Sequence, residues 1–159
     1  MRCRALTEPG FEKTIAVNRK ARHDYHIEDT YEAGLVLTGS EIKAIRAGRV
    51  NLRDAYAVIR DGEAWLVNMH IGRWEQAGRL GHEPRRDRKL LLHKYQIRRL
   101  AEKIQAKGYT LIPLRLYLHN SWAKVELALA KGKRQYDKRE SIAEREAKRR
   151  IDQALRRRR

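Results

Sequence analysis

Apolar and polar residues alternate with a period of two in several short stretches of this chain, as strands with one buried face require. Tyr31, Ala33, Leu35 and Leu37 form one such row. Tyr56 to Arg60 and Glu63 to Val67 flank Asp61-Gly62, a dipeptide suited to the positive φ angles of a two-residue hairpin turn. Ile112, Leu114, Leu116 and Leu118 alternate on another strand, His119-Asn120-Ser121 turns the chain, and Ala123, Val125, Leu127 and Leu129 alternate on the next. Helical spacing is confined to shorter runs. Ile97, Leu100, Ala101 and Ile104 follow i, i+3, i+4, i+7, with Gly108 at the position of a C-cap. Ser40 reads as an N-cap, after which Ile42 and Ile45 share a face until Gly48 stops the turn. The pattern predicts a mainly β fold with helices, a small antiparallel barrel whose openings the helices plug.

The same pattern divides the chain. Residues 1–13 read as a loose end and residues 14–130 as the folded domain. Within it, 72–88 holds Gly72, Gly78, Gly81 and Pro84 among charges, the mark of a long mobile loop. Residues 131–159 form a tail of different composition, with thirteen Lys or Arg against five acidic residues, ending in Arg156 to Arg159. Ala143, Ala147, Ile151, Ala154 and Leu155 give it only a thin apolar stripe, too narrow to hold a helix in free solution.

Charge changes the picture most. Across 159 residues, 37 Lys and Arg stand against 20 acidic residues, a formal net charge of +17. That surplus repels itself unless a polyanion is near, which leaves RNA, DNA or an anionic membrane as partners. No stretch approaches the roughly 18 apolar residues of a membrane span, and the first residues have no apolar core of a secretory signal. The single cysteine, Cys3, forbids an intrachain disulfide, so a cytoplasmic home is expected; a monomer is the expected state.

Catalytic chemistry is hard to find. Six histidines (His23, His26, His70, His82, His93 and His119) lack metal-ligand spacing, although His23 and His26 read as neighbours on a first short helix. They read as surface or RNA-facing groups, and no metal or cofactor is expected. Ser40, Ser121 and Ser141 sit in no nucleophile elbow, and no phosphate-cradling glycine loop occurs. Glu28, Asp29 and Glu32 could hold magnesium against a phosphate, but they read more simply as solvated acids in a turn between strands. An acid among cations has another use, since it can accept hydrogen bonds from base edges. Three basic runs bracket the domain: Arg19, Lys20, Arg22 and His23; Arg85, Arg86, Arg88 and Lys89; and Lys131, Lys133, Arg134, Lys138 and Arg139. Together they point to nucleic acid. Trp65, Trp122 and the tyrosines read as core or rim packing, with Trp74 and Tyr136 in segments expected to be mobile.

Five stretches carry a resemblance. Ile15 to Tyr25, Tyr31 to Leu35, Gly39 to Lys43 with Arg46-Ala47-Gly48, Arg88 to Leu92, and Ala130 to Lys133 followed by Tyr136 to Arg139 resemble, in order, motifs of the small protein B family. The similarity runs from about Thr14 to Arg150. It implies an OB-like β-barrel flanked by short helices, with a tail disordered alone and helical on the ribosome. It also implies that the protein is not an enzyme. Family members bind the tRNA-like domain of tmRNA, support its alanylation and deliver it to stalled ribosomes, where the tail senses the empty mRNA channel beside the decoding centre. Elongation factor Tu and alanyl-tRNA synthetase are implied as partners through tmRNA.

Carried over by motif position, the tmRNA-contacting residues are Asn18, Arg19, Lys20, Arg22, His23, Glu32, Lys89, Leu91, Lys131, Gly132 and Lys133. The ribosome-sensing stretch is Arg134, Tyr136, Asp137, Lys138 and Arg139. Many members have His where this chain has Tyr136, a change that keeps stacking and loses a chargeable imidazole. Two other readings remain open on the residues alone: a ribosomal RNA-binding protein without tmRNA specificity, and a magnesium-dependent nuclease using Glu28, Asp29 and Glu32.

Overall fold

A computed structural model describes residues 11–133 and 135–157. In chain order the elements are β1 (Glu12–Val17), α1 (Arg19–Asp24), β2 (Tyr25–Leu35), α2 (Gly39–Arg46), β3 (Val50–Asn51), β4 (Tyr56–Arg60), β5 (Glu63–Val67), β6 (His70–Ile71), a 3₁₀ segment (Glu75–Leu80), β7 (Arg88–Leu91), α3 (Lys94–Lys107), β8 (Thr110–His119), β9 (Trp122–Gly132) and α4 (Gln135–Arg157). The seven-stranded sheet runs β1-β8-β4-β5-β7-β2-β9. Because β8 also pairs with β9, it closes into a ring, with β1 attached outside the closure. The fold is mainly β with several helices, as the alternation predicts.

Turn chemistry sets the register. Asp61 and Gly62 both take positive φ (51° and 72°), joining β4 to β5 in the mirror-image turn that matches strand twist. Asn120 at φ 55° turns β8 into β9, a conformation Asn tolerates better than most residues. Gly108 ends α3 in the left-handed region, where a Cβ would be strained.

Leu66, Leu90, Leu100, Leu111, Leu116, Val125, Leu127 and Leu129 fill the ring and are almost fully buried. A smaller cluster lies on the outer face, where Ala21 of α1 packs with Ile112, Leu114, Ala128 and Ala130. Register shifts in β8 between Pro113 and Arg115, and in β2 between Ile27 and Asp29, let these strands serve both clusters. Before the bulge, Ile112 and Leu114 face α1; after it, Leu116 and Leu118 face the interior.

Several expectations need correcting. The expected boundaries at 13/14 and 130/131 fall inside β1 and β9, since pairing is already in register at Glu12 and continues to Gly132. Glu28, Asp29 and Glu32 lie on β2 rather than in a turn, and α1 ends at Asp24, so His26 is on a strand. Thr38 precedes α2 as its N-cap, and the Thr38 N–H donates to Glu41 Oε2 at 3.0 Å. Ser40 instead meets His82 Nδ1 at 2.9 Å, and His82 Nε2 lies 3.1 Å from the Ile71 carbonyl. A carbonyl only accepts, so Nε2 carries the proton and Nδ1 accepts from Ser40. His82 is therefore a buried strut and not a surface group.

The expected mobile loop at 72–88 is tied down by its own arginines. Arg88 and Glu41 are both fully buried, with Arg88 Nε 3.0 Å from Glu41 Oε1. Arg88 Nη1 also donates to the carbonyl of Met69 at 2.7 Å, and Nη2 to that of Pro84 at 3.1 Å. Arg86 grips the same carboxylate in bidentate fashion at 2.6 and 2.8 Å. Burial pushes the Glu41 carboxyl up, but Arg86, the Thr38 N–H and the Arg88 charge together hold it below the usual carboxylate range. Two of the four cations of the second basic run, Arg86 and Arg88, thus turn to a buried carboxylate, while Arg85 stays exposed and Lys89 points outward.

Removing Glu41 leaves Arg88 buried without a counter-charge, so Glu41→Ala should cost about 3–5 kcal/mol of stability in urea unfolding. The native carboxyl titrates below its unfolded value of about 4.3. Its contribution is therefore complete above that pH and disappears as pH falls through the native value. The wild-type protein should lose stability over that acid range, and Glu41→Gln should show a flatter acid limb.

Candidate nucleic-acid interface

The first and third basic runs meet at one corner. Asn18 builds that corner. Its Oδ1 accepts from the Ala21 N–H at 3.2 Å, capping α1, while Nδ2 donates to the carbonyls of Leu52 (3.2 Å) and Pro113 (3.1 Å). Only 4% exposed, Asn18 has both amide protons and one Oδ1 lone pair engaged within the protein, and so orients α1. Arg19, Lys20 and Arg22 are then held outward. Lys20 has a loose 3.8 Å contact with exposed Asp54, and His23 Nδ1 lies 2.9 Å from Asp24 Oδ1.

Lys131 and Gly132 pair with His26 and Tyr25, and the Lys133 N–H donates to the Asp24 carbonyl at 2.9 Å. Lys133 Nζ reaches the carbonyl of Arg22, 111 positions earlier, at 3.3 Å. Beside this corner lies a cleft of about 380 Å³ lined in part by Lys20, Tyr25, Arg53 and Tyr56.

A second patch lies toward the far end of β2, with Glu32 about 23 Å along the strand from Tyr25 at roughly 3.3 Å per residue. There Glu32 accepts from the Tyr117 hydroxyl and from Lys124 Nζ. The Lys124 hydrogen bond, with that of Tyr117, holds the Glu32 carboxyl below its ordinary range. Burial, and then Glu32 itself, push the Tyr117 hydroxyl well above its ordinary value. Arg115 caps the other side of the Tyr117 ring, 4.4 Å from its centroid. Gly34 pairs with both Leu91 and Lys124. A Cβ at Gly34 would sit 3.4 Å from the Leu91 side chain, which is 54% exposed. Lys89 pairs with Glu63 at 2.9 Å.

The structure therefore splits the carried-over residues into two patches and leaves Asn18 beneath the first. Sequence reasoning missed Tyr117 and Lys124; the alternation that put Leu116 and Leu118 inside also puts Tyr117 outside, but no local pattern shows which acid it meets. Trp122, expected as packing, is 75% exposed. Trp65 and Trp74 instead each carry a guanidinium near the ring, Arg60 at 5.7 Å and Arg49 at 5.8 Å.

The three acids of the nuclease reading are each taken by a lysine, two of them by the same one. Asp29 and Glu28 take Lys103 at 2.9 and 4.0 Å, while Glu32 takes Lys124. Among the described residues no group of His, Cys, Asp or Glu is placed to hold a metal. Arg134 lies outside the described residues, as do the side chains of Tyr136, Asp137 and Lys138. Arg139 is exposed on α4, along with Ile151 and Leu155. No helix among the described residues is long and apolar enough to cross a membrane.

These placements separate residues that shape the corner from residues that face outward. Asn18→Ala removes a cap and strands two carbonyls, so it should cost roughly 2–4 kcal/mol in chemical denaturation. Arg19→Gln and Arg22→Gln should each stay within about 0.5 kcal/mol of the parent.

The family model described as SmpB protein matches residues 15–157. An SsrA-binding protein of Roseiflexus castenholzii is 63% identical over 150 residues, covering 94% of this chain and 95% of that one. One from Symbiobacterium thermophilum is 65% identical over 143 residues, covering 89% and 90%. A solved structure described as tmRNA-SmpB on a journey to the center of the bacterial ribosome aligns with TM-score 0.63 at 45% identity, over 85% of this chain and 95% of that one. With a family model spanning most of its length and relatives this similar, the chain belongs to the SmpB family.

Proposed function

We propose that this protein binds the tRNA-like domain of tmRNA and brings it to stalled ribosomes in trans-translation. The SmpB family is one of RNA-binding proteins, not enzymes, and the names of the similar proteins support the reading. The observation that carries it is the pairing of Tyr25 and His26 with Gly132 and Lys131, which fuses the α1 cations to the root of the tail. Phosphates neutralise Arg19, Lys20, Arg22, Lys131 and Lys133, while Glu32, Lys124 and Leu91 meet base edges and sugars at the other patch. Phosphate contacts give affinity and base contacts give choice.

The tail is the second probe. From Gln135 to Arg157 it is helical, and its described side chains are almost all exposed. A helix that buries so little is marginal in water, so its order in solution depends on a neutralising surface. An mRNA channel empty of message offers one, and Arg134, Tyr136, Asp137, Lys138 and Arg139 at the root of the tail are its ribosome-sensing stretch. Support of alanylation, and encounters with elongation factor Tu and alanyl-tRNA synthetase, follow from presenting tmRNA as a tRNA. On this reading the protein works as a cytoplasmic monomer without a cofactor.

Filter binding near physiological salt should show strong preference for the tmRNA tRNA-like domain over an elongator tRNA; equal affinity would defeat the proposal. Glu32→Ala should weaken the specific complex by roughly 5- to 150-fold, the range for loss of one good base contact. Binding to unrelated RNA should stay unchanged, since that depends on phosphates. A uniform loss across RNAs would remove Glu32 from specificity.

Deleting 134–159, which spares β9, should leave tmRNA binding largely intact and abolish peptide tagging on stalled ribosomes. Parallel loss of both activities would show that the tail is part of the docking body.

A further inference from the structure

Trp122 opens β9 with three-quarters of its side chain in water. Trp65 and Trp74 each have a guanidinium over the ring, but among the described residues no ring or guanidinium covers the Trp122 indole. Folding has thus left one of the three indoles of the chain exposed at the tip of the β8–β9 hairpin.

Its location is specific. Side chains alternate along a strand, so Trp122, Lys124 and Glu126 share the outward row of β9. Lys124 holds Glu32 and pairs with Gly34, which pairs in turn with Leu91. Trp122 lies across from His119, one outward step beyond Tyr117. Leu91 at 54% and Val36 at 46% exposure add apolar surface beside the same charges. The result is one outward patch with an ion-paired acid, a lysine, an exposed leucine and an uncovered indole.

We propose that Trp122 is a base-stacking residue, and that an unpaired nucleobase of the RNA covering Glu32, Lys124 and Leu91 lies on its indole. The inference rests on the proposed tmRNA reading and adds a contact to it. A nucleobase is the occupant that fits the surroundings. Its π-face covers the indole, and its edge or sugar can reach the polar groups two positions along the row. Its phosphate is drawn by a chain of net charge +17. An apolar protein surface would desolvate the Glu32–Lys124 pair beside the indole without replacing its hydrogen bonds, whereas a nucleotide edge supplies donors and acceptors to it.

The test uses the full chain and the isolated tmRNA tRNA-like domain. Trp122→Ala should weaken binding roughly 5- to 150-fold, the range for loss of one stacked base. Trp122→Phe should recover most of that loss. The slope of affinity against salt should be the same in all three proteins, because no phosphate contact is removed. Thermal unfolding should be unchanged, because the side chain is exposed. In a Trp65→Phe, Trp74→Phe background Trp122 is the sole tryptophan, and its emission should be quenched as RNA is added.

Wild-type binding by Trp122→Ala, a loss that Phe fails to restore, an equal loss for elongator tRNA, or unchanged emission would each overturn the proposal. Two controls separate its failure from failure of the functional reading. If the wild-type chain does not prefer the tRNA-like domain over elongator tRNA, both fall. If that preference is present and Glu32→Ala reduces it while Trp122→Ala does not, only the stacking assignment falls.

Discussion

The antiparallel ladder between β2 and β9 is the constraint on which the rest of this molecule depends. It runs from Tyr25 opposite Gly132 to Gly34 opposite Lys124, with one bulge between Ile27 and Asp29. At one end it brings α1 to the root of the tail; toward the other it sets Lys124 against Glu32 and Leu91 beside Gly34. A slip of one residue would turn Ala33, Val125, Leu127 and Leu129 out of the core and move every outward group to the wrong face. Both patches are therefore specified by the same apolar alternation that closes the ring.

That arrangement explains how so cationic a chain stays compact. Its positive groups are sorted by the carboxylates available to them. Glu41 takes Arg86 and Arg88 inward, where two guanidinium groups and several carbonyls share the desolvation. Arg115 is held between Glu12 and Glu126 on the outer face. Among the described residues, further exposed cations lie on α1, on α3 and along the tail. Self-repulsion there is relieved by whatever anion approaches. The same groups that destabilise the free protein thus favour the bound one.

Much of the fold was readable from local rules. Asp61-Gly62 and Gly108 are found where backbone conformation demands them, and the row through Val125 follows strand alternation, whereas the bulge in β8 divides the row expected from Ile112 to Leu118 between two faces. Reading failed where a side chain reaches across sequence. Ser40 has good capping chemistry, but Thr38 already occupies the cap, so its hydroxyl serves His82. Segment 72–88 has a loop's composition, yet Arg88 locks it from within through a carboxylate 47 positions earlier. No window of sequence reveals that Arg88 points inward while Lys89 points outward; only the strand register does. At the candidate interface the same limit hid Tyr117 and Lys124. It also made Asn18 look like a contact when its side chain is spent on Ala21, Leu52 and Pro113.

The distance between the two patches has a consequence for recognition. A rigid strand pair cannot shorten, so on the proposed reading a partner must present a backbone to α1 and unpaired groups to Glu32 about 23 Å away along β2. Flexible or purely duplex RNA can satisfy the first requirement on charge alone, but it has no reason to satisfy the second. Discrimination then comes from shape measured against a fixed ladder and not from added cations, which would strengthen every RNA complex alike. On the proposed reading, because the tail leaves from the α1 end of that ladder, docking one RNA on the body also fixes where the tail can search. Position on one partner becomes a condition for contact with the other, without any conformational change in the ring itself.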